Sequence, residues 1–111
     1  MQASLQGRRI AFLATDGVEQ RELTEPWKAL REAGAETDLI SLESGRIQGF
    51  EHQTEAASFA VDRTIDEADP SEYDGLVVPG GVANPDRLRK DERAVRFVAE
   101  FVASDKPYAR R

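Results

Sequence analysis

The sequence predicts an α/β domain built on a doubly wound, mainly parallel sheet. Two short apolar runs, over residues 10–14 and 75–78, have the continuous character of strands buried on both faces. Amphipathic stretches of helical period follow each run, and turn residues punctuate the joins. With 111 residues, 40% of them hydrophobic, the chain can bury one core and is too short for two ordinary domains. Residues 1–111 are therefore read as a single domain.

The first strand, residues 10–14, comes after the basic pair Arg8 and Arg9. Beyond a loop over residues 15–20, Leu23, Trp27 and Leu30 recur at helical spacing with Ala29 and Ala33 beside them, so a helix packs one face on the sheet. Pro26 fits a helix that starts near Thr24, because first-turn N–H groups have no intrahelical partner; an earlier start would bend it there. Gly34 suits the left-handed residue after a helix end, and residues 37–42 read as the next strand.

Ser44, Gly45 and Gly49 punctuate a stretch whose scattered apolar positions, Ile47, Phe50, Phe59 and Val61, fit short strands or a hairpin. Asp69, Pro70 and Ser71 make a turn or a single helical turn before the strand at 75–78, which runs into Pro79, Gly80 and Gly81. From Asp91, an N-cap, the positions Ala94, Val95, Val98, Phe101 and Val102 form an apolar helix face, with Glu92, Arg93, Arg96 and Glu100 turned away. Lys106 and Pro107 turn into a further strand at Tyr108 and Ala109, and the pattern stops mid-unit at Arg111.

Composition removes several classes of function. A net charge of -6 and a pI near 4.8, with no basic stripe, argue against nucleic acid as a partner. The apolar runs fall far below the roughly 20 residues that span a bilayer, and residues 1–9 lack a signal-peptide core. No membrane partner is expected, and the chain is expected to be cytoplasmic. The absence of cysteine excludes a disulfide framework, a thiolate metal site and a thiol nucleophile within these residues. His52 is the one histidine, so a histidine-rich metal site is impossible; in a loop it reads as structural or exposed. Neither a phosphate loop nor a dinucleotide fingerprint occurs, and no cofactor is expected.

In an open parallel sheet, ligands collect at the carboxyl ends of the strands, which directs attention to the loops after Ala14 and Val78. The first carries Asp16, Glu19 and Glu22 near a helix N-terminus. These acids either complement the helix dipole on a solvated turn, or Glu22 points into the crevice, where it could hydrogen-bond a reacting group. The second runs from Pro79 through Gly80 and Gly81 to Asn84, Pro85 and Asp86. The paired glycines either permit a tight turn or let backbone N–H groups approach an oxyanion.

Taken together, residues 16–23, residues 73–89 and the closing Lys106 and Pro107 resemble the PfpI family of intracellular peptidase-like and general stress proteins. The stretch from Pro79 to Asp86 looks most like the general stress protein branch. The resemblance implies a flavodoxin-like sandwich of the glutamine amidotransferase superfamily, truncated at its C-terminus. It implies that Glu22 matches the buried glutamate that hydrogen-bonds the family's nucleophilic cysteine, and that Gly81 matches the glycine whose N–H helps form the oxyanion hole. Asp86 stands where some PfpI-like peptidases offer an acid across a subunit interface. After Lys-Pro the family continues through a strand into a Cys-His-Gly-Pro elbow, whereas this sequence has Tyr108, Ala109, Arg110 and Arg111.

Three functions follow as expectations. One is the front part of a thiol-dependent peptidase or deglycase, inactive as it stands, whose complete domain takes a small carbonyl compound or a peptide. Another is a binding or assembly module that uses an exposed sheet edge and the acidic surface to associate with itself or with a full-length relative; a homo-oligomer or a poorly stable monomer is expected, because loss of the last third would uncover apolar surface. A nucleotide-binding flavodoxin-like module rests on fold analogy alone.

Overall fold

The structure, a computed structural model, describes residues 4–81 and 84–110. Strand β1 (Arg9–Leu13) explains why its run carries no polar position at its centre. Side chains alternate across a strand, so Ala11 and Leu13 enter one core while Phe12, with Ala14 just beyond the strand, enters the other. A two-residue strand β2 (Val18–Glu19) follows and leads directly into helix α1 (Gln20–Glu32).

The helix therefore starts before the expected Thr24, and Pro26 lies inside it. Proline has no N–H, so the Glu22 carbonyl loses its ladder donor. Burial of Leu23 and the packing of Trp27 and Leu30 on the sheet outweigh that loss. The helix ends in a Schellman motif: Gly34 adopts φ 101°, its N–H donates to the Arg31 carbonyl at 3.0 Å, and the Ala35 N–H donates to the Leu30 carbonyl at 3.0 Å.

Strand β3 (Glu36–Ser41) returns beside β1, and β4 (Arg46–Glu51) and β5 (Thr54–Ala60) form the expected hairpin, whose turn holds His52 at φ 58°. A two-residue strand β6 (Arg63–Thr64) and a 3-10 turn (Pro70–Glu72), capped by Asp69, precede β7 (Gly75–Val78). Then come α2 (Asn84–Lys90), α3 (Glu92–Ala103) and β8 (Tyr108–Arg110). Helix α2 was not foreseen, because Asn84, Pro85 and Asp86 also read as a loop.

Among the described residues, five strands make a parallel sheet in the order β6-β3-β1-β7-β8. A second sheet, β2-β4-β5, lies against α1 and is parallel between β2 and β4 and antiparallel between β4 and β5. Leu76, Val78, Leu88, Phe97 and Phe101 fill the core on one face of the main sheet. Phe12, Leu23, Leu39, Ile47 and Val77 fill the other, with Trp27 stacked 6.0 Å from the Phe12 ring. Helices on both faces of a mainly parallel sheet are the doubly wound α/β fold expected. No helix among the described residues is long and apolar enough to cross a membrane.

Helix α3 departs from the sequence reading in one respect. Its buried stripe is Ala94, Phe97 and Phe101, so Val95 and Val102, each one residue and about 100° further round, are 49% exposed. Asp91 caps it as expected, its side chain accepting from the Arg93 and Ala94 N–H groups at 2.9 and 3.3 Å.

Candidate functional site

The chain leaves β1 through α1 to β3 on one side and later enters β7 on the other, so β1 and β7 flank the point where strand order reverses. Carboxyl ends of strands open a crevice at such a point. Here backbone bonds bring the two loops into contact. The Glu19 N–H donates to the Gly80 carbonyl at 2.9 Å, and Val18 and Gly81 form an isolated antiparallel bridge. Gly81 adopts φ 143°, and a Cβ there would meet the Gly17 carbonyl oxygen and lie 2.8 Å from the Glu19 nitrogen. Glycine is thus required by backbone conformation and by close approach. Among the described residues, none accepts a hydrogen bond from the Gly81 N–H.

The acids of the first loop divide by role. Asp16 accepts from the Gln48 N–H at 2.7 Å, and both Glu19 carboxylate oxygens accept from the His52 N–H, at 3.0 and 3.2 Å. Gln20 adds a bond from the Ala57 N–H at 2.9 Å. These side chains hold the β4-β5 hairpin over the start of α1, a task the sequence reading missed because their partners lie 32 to 37 residues away. Glu22 remains. It sits in the first turn of α1, partly buried, and among the described residues no hydrogen bond or ion pair engages its carboxylate.

Asp86 is placed differently. It lies in the first turn of α2, exposed to solvent, and pairs with Arg89 one turn on. Asn84, at the start of the same helix, is fully buried. An apolar cavity of about 300 Å³ lies beside the loop, lined by Leu13, Val78, Leu88, Val98 and Tyr108 and rimmed by Arg89 and Arg110. Among the described residues no group of three or more acids, histidines or cysteines could hold a metal ion.

Residues 8–110 match the DJ-1/PfpI family. The chain belongs to that family. It is similar to general stress protein 18 of Bacillus subtilis, with 41% identity over 91% of this chain and 57% of the relative. Protein/nucleic acid deglycase 2 of Escherichia coli is 42% identical over 90% of this chain and 56% of its own length. Deglycase PfpI of Pyrococcus furiosus is 40% identical over 91% and 58%. The chain thus spans between 56% and 58% of these DJ-1/PfpI relatives. A two-domain protein from Anabaena variabilis with DJ-1/ThiJ/PfpI-like and ferritin-like domains superposes with a TM-score of 0.84 at 32% identity, over 93% of this chain and 29% of that one. Toxoplasma gondii DJ-1 shares the fold, with a TM-score of 0.82 at 21% identity, over 94% of this chain and 55% of that one.

Proposed function

We propose that this chain supplies the glutamate and the oxyanion loop of a thiol-dependent site acting on carbonyl carbon, of the peptidase or deglycase kind, and that it is inactive by itself. One observation carries the reading: a partly buried Glu22 carboxylate, engaged by no described residue, stands at the start of the helix whose leading loop packs on Gly81. The other acids of that loop are occupied by the hairpin. In the reaction, the Gly81 N–H donates to the carbonyl oxygen as it gains negative charge under attack. Glu22 hydrogen-bonds the attacking thiol and orients it. The sequence holds no cysteine, so neither role produces turnover from these residues alone. The substrate of the complete site is a small carbonyl compound or a peptide. Exposed Asp86 is the acid offered to a neighbouring subunit.

The test is an assay of the purified chain on methylglyoxal and on a fluorogenic peptide, with and without iodoacetamide. Background rates unaffected by iodoacetamide are expected. Turnover abolished by Glu22→Ala would overturn the claim of inactivity.

A second reading, a self-assembling module without catalysis, is favoured by the two half-exposed valines of α3, Val95, which lines the apolar cavity, and Val102. The two readings are compatible in one molecule. They separate in a version extended through the Cys-His segment of a relative, where Glu22→Ala lowers turnover under the first reading and leaves assembly untouched.

A further inference from the structure

We infer that Asn84 is a positioning residue: its buried amide locks the loop after β7 to the loop after β1 and so fixes the direction of the Gly81 N–H. The inference rests on the oxyanion role proposed for Gly81. Asn84 is 0% exposed, its Oδ1 accepts from the Thr15 N–H at 2.7 Å, and its Nδ2 donates to the Pro79 carbonyl at 2.7 Å. Both are at the short end of N–H···O distances.

The two groups it joins lie just past the carboxyl ends of β1 and β7, where the parallel ladder no longer supplies partners. An asparagine at a helix start ordinarily accepts from its own first turn. This one bonds a residue 69 positions earlier, so its geometry serves the loops rather than α2. With the Glu19 to Gly80 bond and the Val18 to Gly81 bridge, it closes a clasp around the glycine pair.

The amide chemistry is specific. A carboxylate keeps the acceptor for Thr15 but sets an oxygen against the Pro79 carbonyl, and an apolar side chain leaves a buried donor and acceptor unpaired. Asn84 reaches the reacting atoms only through Gly81, so its effect is on the transition state rather than on substrate binding.

The experiment has two arms. In the first, amide hydrogen exchange is measured on the chain with Asn84 intact and with Asn84→Ala and Asn84→Asp. Asn84→Ala is expected to speed exchange at Thr15 and Glu19 by at least about tenfold relative to Phe12 in β1. Asn84→Asp is expected to keep Thr15 protected and to loosen Glu19. If Asn84→Ala does not fold, Asn84→Asp decides. The second arm measures kinetics in a version extended through the Cys-His segment of a relative. There Asn84→Ala is expected to lower kcat by at least about tenfold with KM within about twofold, and Asn84→Asp to recover part of the loss.

Uniform acceleration across β1 and α3, or unchanged exchange at Thr15 and Glu19, would overturn the inference. So would a change in KM alone. An extended version that is silent with Asn84 intact would instead defeat the function proposed for Gly81, and the exchange arm would still decide the role of Asn84.

Discussion

At Gly81 two separate constraints fall on one residue. Its φ of 143° is disfavoured for a side chain, and the space a Cβ would occupy is bounded by Gly17, Val18 and Glu19 backbone atoms rather than by side chains that could move. Gly81→Ala is accordingly expected to cost more than about 1 kcal/mol, read as a lower urea midpoint at unchanged slope. A second residue-scale expectation lies at the opposite end of the sheet. Burial, together with the bond it donates to Asp38 at 2.7 Å, pushes the Tyr73 phenol well above its ordinary range. A raised phenol contributes stability below the unfolded value near about 10 and loses it as pH rises further. Stability should therefore decline above that pH, and the decline should be shallower in Tyr73→Phe. The roles proposed for Glu22 and Gly81 were expected from family resemblance. Asn84 was not, because neither its burial nor its bond to Thr15 leaves a mark in the residues next to it.

At the scale of elements, α3 shows what periodicity can and cannot deliver. Its existence, its cap and its start follow from Asp91 and the apolar repeat. Its rotation does not, since Val95 and Val102 are as apolar as Val98, and only the space under α3 selects Phe97 and Phe101. Asp91→Ala removes an acceptor for two N–H groups and should cost about 1 kcal/mol, measurable as a drop in Tm. The hydrogen bonds from Arg93 hold the Asp91 carboxyl below its ordinary value. A depressed carboxyl contributes stability above the unfolded value near about 4 and loses it as pH falls through the folded one. The difference between the parent and Asp91→Ala should therefore shrink as pH drops below about 4. Helix α1 was misplaced at its start for a related reason. Pro26 disfavours an interior position on local grounds, and the long-range bonds that Glu19 and Gln20 accept from the hairpin N–H groups set the first turn earlier.

On the scale of the molecule, the main sheet was legible because a strand buried on both faces leaves an unbroken apolar run, as at β1 and β7. The small sheet was legible only as scattered apolar positions, since β5 is largely exposed. Half-exposed Val95, on the lining of an apolar cavity, and half-exposed Val102 lead to the expectation of self-association: light scattering should give a mass above 12.3 kDa that falls on dilution. A compact, cooperatively melting monomer would contradict it. The central claim, as proposed, is that the loops after β1 and β7 supply the glutamate and oxyanion part of a site whose Cys-His elbow these residues do not supply. Its most direct measurement is turnover of methylglyoxal by the chain extended through the Cys-His segment of a relative, with Glu22 intact and with Glu22→Gln. The predicted result is iodoacetamide-sensitive activity that the unextended chain lacks and that Glu22→Gln reduces at least about a hundredfold. Equal activity with and without Glu22→Gln, in a folded protein that retains its thiol reactivity, would contradict it.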